Sequence, residues 1–284
     1  MKKPLIHRPE AFWAIEPRHF PSAKVANEVA AEARAASDID RERKYAIQDG
    51  IAVIDIAGVM MKGESMYSWW FGSPTIPQIE RQVRDAAADA AVNTILLRID
   101  SPGGTVAGTS DLADAVFEAR KQKPVIAYIS DLGASAAYYV ASQADRIYCD
   151  TDAMVGSIGV YLVIPDFSKY YEEEGIKIHV IRAGENKGAG TPGAPVTDAH
   201  IAEFQREVDQ LNEMFVEAVS RGRGWTVERA SKLNDGRVHV GRYAVDLGLV
   251  DAVKSFDSTM RELRAESLRP SGSLSTWRRV AAQA

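Results

Sequence analysis

The hydrophobic positions of this chain fall into short continuous runs separated by amphipathic stretches. The run GIAVIDIAGVM, residues 50–60, is rich in β-branched residues and does not alternate, the pattern of a strand buried on both faces. An irregular segment follows, MKGESMYSWWFGSPT, and then apolar residues at helical spacing through IPQIERQVRDAAAD. TILLRID, Thr94 to Asp100, is a second buried strand, ended by Ser-Pro-Gly-Gly. The helix DLADAVFEARKQ, the strand PVIAYIS, a small-residue helix opening at Ser135 and the strand RIYCD come next. Strands alternating with helices of this length predict βαβ units, right-handed crossovers and a largely parallel sheet.

Further along, AMVGSIGVYLV predicts a glycine-punctuated strand, and IKIHVIRAG a strand that runs into a loop. Four glycines and two prolines between Gly184 and Pro195 suit neither helix nor strand. Loops of this length inside a compact domain are uncommon, and function is one of the usual reasons for them. The long helix TDAHIAEFQREVDQLNEMFVEAVSRGR follows, then a short strand, helix and strand through GRVHVGRYAVDLGLVDAV. At 284 residues and 46% apolar composition, one α/β domain with appendages is expected. Its divisions are an N-terminal arm and helix over 1–45, the main domain over 46–265, and a flexible C-terminal tail over 266–284.

Charge and composition narrow the function classes. A formal net charge of −5 argues against a general nucleic-acid binder. Glu172 to Glu174 read as a solvated helix face, and Arg278 with Arg279 as part of the tail. The single Cys149 excludes an intramolecular disulfide. The start of the chain has prolines, charges and a histidine where a secretory signal needs its apolar core, and no window has the length of apolar sequence needed to span a membrane. A cytoplasmic protein is expected.

Two segments carry candidate chemistry. DSPGG, Asp100 to Gly104, joins a strand end to a helix; its paired glycines either make an ordinary tight turn or aim backbone N–H groups into a cavity. In SDLGASAAYYVAS, Ser135 is either a helix cap or a nucleophile whose neighbouring amide, that of Ala136, stabilises an oxyanion. The five histidines, His7, His19, His179, His200 and His239, lie in no context that suggests a triad. The other available base is a lysine, which must lose its proton through burial. Lys187, alone in the Gly-rich loop, is that candidate or else a solvated loop residue.

Together, GASAAYY, DSPGG, GSIGV and GRVHVGRYAVDLGLVD resemble the signal peptide peptidase A family, serine peptidases of the Clp protease/crotonase fold that use a Ser/Lys dyad. The resemblance covers roughly residues 50 to 252. It implies repeated ββα/βαβ units, a nucleophile at Ser135, directly before the small-small-Tyr-Tyr run, and a base at Lys187 in the loop some fifty residues later. It further implies an oxyanion hole from Gly103 or Gly104 with Ala136, a lysine-orienting role for Ser157, no metal or cofactor, and a ring-like homo-oligomer acting on polypeptides. Ala136 and Ala137 stand where the family commonly has glycines. The aromatic N-terminal arm and the single short domain are more similar to the phage head-maturation branch. That branch implies work on capsid or scaffold precursors, inside the prohead of a phage-infected or prophage-carrying cell.

Rival readings remain. One is signal-peptide-peptidase-like degradation of peptides; another is a crotonase-like acyl-CoA enzyme, although no convincing acidic pair is present. A Clp-type peptidase would need a histidine that AMVGSIGV lacks, and an assembly protein could have kept the fold without catalysis. The small residues around Ser135 predict a shallow cleft for an extended strand with small or apolar side chains.

Overall fold

The computed structural model describes residues 13–15, 45–63 and 75–267. In chain order its strands are β1 (Trp13–Ile15), β2 (Ala46–Gln48), β3 (Ile51–Ala57), β4 (Thr94–Ser101), β5 (Gly103–Thr105), β6 (Val125–Ala134), β7 (Arg146–Cys149), β8 (Met154–Gly156), β9 (Val238–Val240) and β10 (Ala252–Val253). The helices are α1 (Ile76–Ala88), α2 (Thr109–Ala119), α3 (Ala136–Ala141), α4 (Ser168–Glu173), α5 (Asp198–Arg223), α6 (Val227–Ser231), α7 (Gly241–Asp246) and α8 (Phe256–Ser267). The main sheet has the order β10-β7-β6-β4-β3-β2. Its central pairs are parallel and β2 is antiparallel at one edge, so the fold is α/β with a mostly parallel sheet, as the strand-helix alternation predicts.

The continuous apolar runs follow from burial on both faces. Ala52, Ile54 and Ile56 of β3, with Ile95, Leu97 and Ile99 of β4, join a core shared with α1, α2 and α3. Ile51, Val53, Leu96, Ile126 and Tyr128 point the other way, where α8 supplies Met260 and Leu263. Each such side chain contributes about 1.5–3 kcal/mol when fully buried. An exposed ion pair such as Arg98 with Asp55 (2.6 Å) contributes at most about 1 kcal/mol. The two apolar layers therefore hold the sheet.

Helix ends are set by local chemistry. The Gln78 side chain accepts the Thr75 N–H (2.8 Å) at the start of α1. Thr197 accepts the His200 N–H at the start of α5, and Gly224 ends that helix at φ 64°.

Several expectations change. β6 runs four residues past PVIAYIS, so the strand continues to Ala134 and α3 begins only at Ala136. AMVGSIGVYLV yields just the three residues of β8, because Ser157 turns the chain at φ 51°. IKIHVIRAG forms no strand: a β-branched run cannot close sheet hydrogen bonds without a neighbouring edge, and among the described residues none pairs with it. The Ala/Glu-rich run of the N-terminal arm, most of MKGESMYSWWFGSPT and the tail beyond Ser267 lie outside the described residues. No described helix is long and apolar enough to cross a membrane.

α3 is fixed at both ends. The buried Tyr138 hydroxyl donates to Leu249 O (2.9 Å), and burial pushes its pKa well above the usual phenol range. Beyond its C-terminus, Gln143 Nε2 donates to Ala218 O (2.8 Å), and a Cβ on Gly222 would lie 2.2 Å from Ser142 O. Urea unfolding of Tyr138→Phe should therefore show a loss of about 1 kcal/mol, one buried hydrogen bond. Gly222→Ala should cost about 1–3 kcal/mol through overpacking. Wild-type stability in both variants would contradict this picture of how α3 is anchored.

Candidate active site

Sheet register assembles the site. Ser101 of β4 pairs with Gly133 of β6, which pairs with Val155 of β8, so three strands end in one row. Two residues further on, each chain turns with a positive φ: Gly103 at 98°, Ser135 at 54° and Ser157 at 51°. The row lies just past an irregularity. β4 and β6 shift register between Ile99 and Ser101, and β6 exchanges β7 for β8 as its neighbour. Such bulges re-aim side chains at a sheet's end.

Ser135 is the junction between β6 and α3. Its N–H donates to Gly156 O (2.8 Å) and its carbonyl accepts the Tyr139 N–H (2.9 Å), the opening bond of the helix. At φ 54° and ψ −120° it departs from the extended conformation of an ordinary cap, and its side chain makes no capping hydrogen bond. The helix-cap reading of this serine thus loses its physical basis. A non-glycine residue held in such a region costs about 1–3 kcal/mol, a strain that concentrates at functional sites. Ser135 is 1% exposed, and Ala136 and Ala137 behind it are fully buried. The first-turn amides of α3, Ala136's among them, have no acceptor within the helix.

DSPGG is an ordered edge, not a tight turn. The Ser101 hydroxyl donates to Gly58 O (2.7 Å) and accepts the Gly103 N–H (3.2 Å), which fixes the strand end. β5 then lies beside Met60, whose N–H donates to Gly103 O (2.8 Å) and whose carbonyl accepts the Thr105 N–H (2.9 Å). A Cβ on Gly104 would stand 1.7 Å from Met60 O, so only glycine permits this approach. β5 also packs against α3, which brings the glycines and Ser135 to one place.

The structure therefore gathers Ser135, Gly103, Gly104, Ala136 and Ser157. It does not bring Lys187 to them within the single chain. Lys187 is exposed among the turns of its loop, where its backbone N–H donates to Gly184 O (3.2 Å), and among the described residues no hydrogen bond joins it to Ser135. Ser157 is buried and its N–H donates to Arg237 O (2.6 Å). His179 is exposed, His200 takes part in the α5 cap, and His239 stands opposite Val155 on β9; His7 and His19 lie outside the described residues. Burial pushes the Cys149 thiol up to about 11, so it offers little thiolate at neutral pH.

Sequence reasoning missed three contributors. Ser101 was visible inside DSPGG, but its role as a brace depends on Gly58, 43 residues away. Met60 acts through its backbone, which leaves no mark on residue type. An apolar pocket lies a few residues beyond the row: Val106 and Val160 line it from the chain past two of the turns, Tyr139 from α3, and Met214 and Phe215 from α5.

The model of peptidase family S49 matches residues 118–268. Protein MJ0651 of Methanocaldococcus jannaschii is 32% identical over 73% of this chain and 69% of its own length. Capsid assembly protease C of Escherichia phage lambda is 33% identical over 81% of this chain, and Protease 4 of Haemophilus influenzae 32% identical over 81%. This chain spans only 53% and 36% of those two proteins' lengths. With the family's model running from the end of α2 through β6, α3 and on to the last described helix, the strained serine turn included, the chain belongs to peptidase family S49.

Proposed function

We propose that this chain is a serine endopeptidase in which Ser135 is the nucleophile and Lys187 the base. The observation that carries the reading is the strand-to-helix turn at Ser135, a buried hydroxyl on a strained backbone next to first-turn amides that have no acceptor within the helix. Neutral Lys187 Nζ takes the proton of Ser135 Oγ as the oxygen bonds to the scissile carbonyl carbon. The resulting oxyanion is held by the amide of Ala136 and that of Gly104, or of Gly103 once its N–H leaves the Ser101 hydroxyl. The C–N bond then breaks, the proton passes from lysine to the leaving amine, and water hydrolyses the acyl-serine ester. Ser157, in the same row, orients the lysine. No step requires a metal or cofactor.

Lys187 is supplied by a second copy of the chain. It sits in a stretch, residues 160–197, that carries unusual exposed apolar surface: Val163, Phe167, Tyr170, Ile176 and Ile181, the last 94% exposed. The unpaired IKIHVI run belongs to the same stretch. A neighbouring subunit covering it would exclude water from the ammonium and favour the neutral amine that a base requires. Repeated head-to-tail, such a contact closes into a ring. The substrates are polypeptides, and the likeness to the lambda capsid assembly protease makes capsid or scaffold precursors the preferred class.

Mixing inactive Ser135→Ala with inactive Lys187→Ala subunits tests the shared site. Random rings should recover about a quarter of wild-type peptidase activity, since each site draws one residue from each neighbour. No recovery in verified mixed rings would contradict it. The strain gives a second test that is independent of turnover. Ser135→Gly should be more stable than Ser135→Ala by about 1 kcal/mol in urea unfolding, because glycine alone accepts this φ without penalty. Equal stabilities would remove the strain from the account. Cleavage mapping on a peptide library should favour small or apolar side chains beside the scissile bond, matching the pocket of Val106, Tyr139, Val160 and Phe215. A strict requirement for a charged residue there would contradict that match.

A further inference from the structure

β5 has two edges, and both are occupied. On the inner edge Met60 bonds to Gly103 O and to the Thr105 N–H. Successive peptide groups along a strand point to opposite sides, so the N–H and C=O of Gly104 face outward. There they meet β1, which runs antiparallel with Trp13 opposite Thr105, Ala14 opposite Gly104 and Ile15 opposite Gly103. By this alternation Ala14 and Gly104 form the hydrogen-bonded pair of the ladder, each offering its N–H to the other's carbonyl.

An extended substrate would bind this outer edge for the same reason β1 does. Strand addition uses backbone groups alone for affinity, and Gly104 presents one free donor and one free acceptor when β1 is absent. The direction also fits. β1 passes from Thr105 toward Gly103, so its last residue, Ile15, lies opposite the glycine in the Ser135 row. Any peptide that follows this path is carried toward the nucleophile.

We propose that Trp13–Ile15 is an internal occupant of the peptide-binding edge, and that substrate binds by displacing it. The inference rests on the peptidase reading above for what the edge is for. It goes further in assigning the N-terminal strand as an autoinhibitory competitor and Gly104 as the backbone contact for both. Apparent peptide affinity is then reduced by the fraction of molecules in which β1 is seated.

The test uses the full chain carrying Ser135→Ala, which binds without turnover, with and without Ala14→Pro. Proline has no N–H to give Gly104. The probe is a fluorescein-labelled decapeptide of residues 9–18, PEAFWAIEPR, followed by anisotropy. Ala14→Pro should tighten peptide binding about three- to tenfold, the range set by one hydrogen bond of ordinary net strength. Gly104 amide exchange should be protected in the parent, faster in the unliganded Ala14→Pro chain, and slow again with peptide. Unchanged or weaker binding, with Gly104 exchange unaltered, would overturn the proposal. A peptide N-methylated at its central alanine checks the same contact without changing the protein. It should bind less tightly than the parent peptide, and equal binding would also overturn the proposal. Because the readout is binding, it separates from the peptidase reading: a tightening seen alongside an assembled Ala14→Pro chain that keeps Ser135 and cleaves nothing would sink that reading and leave the displaced strand intact. Cleavage without tightening would do the reverse.

Discussion

Ser135 keeps a backbone conformation that L-residues avoid, and the hydrogen bond from its N–H to Gly156 O (2.8 Å) helps to hold it there. The acceptor lies on β8, a strand that joins β6 only after β7 has left it, so the contact depends on the splay of the sheet. The same register places Gly103 and Ser157 in the row. Three strands thus share the task of stopping together, and each chain turns where its neighbour can brace it. The strain at Ser135 is sustained because α3, pinned through Tyr138 and Gln143, cannot relax away from it.

Backbone geometry governs the glycine edge as well. Ser101 fixes the end of β4, Met60 fixes the inner side of β5, and Gly104 survives there because any side chain would strike the Met60 carbonyl. What remains is a short strand with the N–H and C=O of one residue, Gly104, facing outward next to the serine turn. On the proposed reading an extended polypeptide meets Gly104 in the same way β1 does, which links the geometry of recognition to that of attack.

The buried strands were legible because β3, β4, β6 and β7 carry short apolar runs of β-branched, leucine and tyrosine residues, and α1 and α5 because their apolar spacing is helical. Ser135 was legible as a residue in a small-residue run. Its conformation was not, since the same letters serve a relaxed cap. IKIHVIRAG misled because strand propensity states a preference for a neighbour without saying whether the chain itself provides one. Ser101 with Gly58, and Ala14 with Gly104, are partnerships across 43 and 90 positions. Pairings between backbone groups at such separations have no local signature in residue type. Lys187 was selected by resemblance, and the single chain leaves it exposed.

Everything in this account turns on the reactivity of one hydroxyl, and the most direct measurement is covalent labelling of the assembled protein with a fluorophosphonate, read by intact mass and peptide mapping. The account predicts a single adduct per chain, located on Ser135 and lost when Lys187 is replaced by alanine. An assembled protein that takes no label, or takes it on another residue, would contradict it.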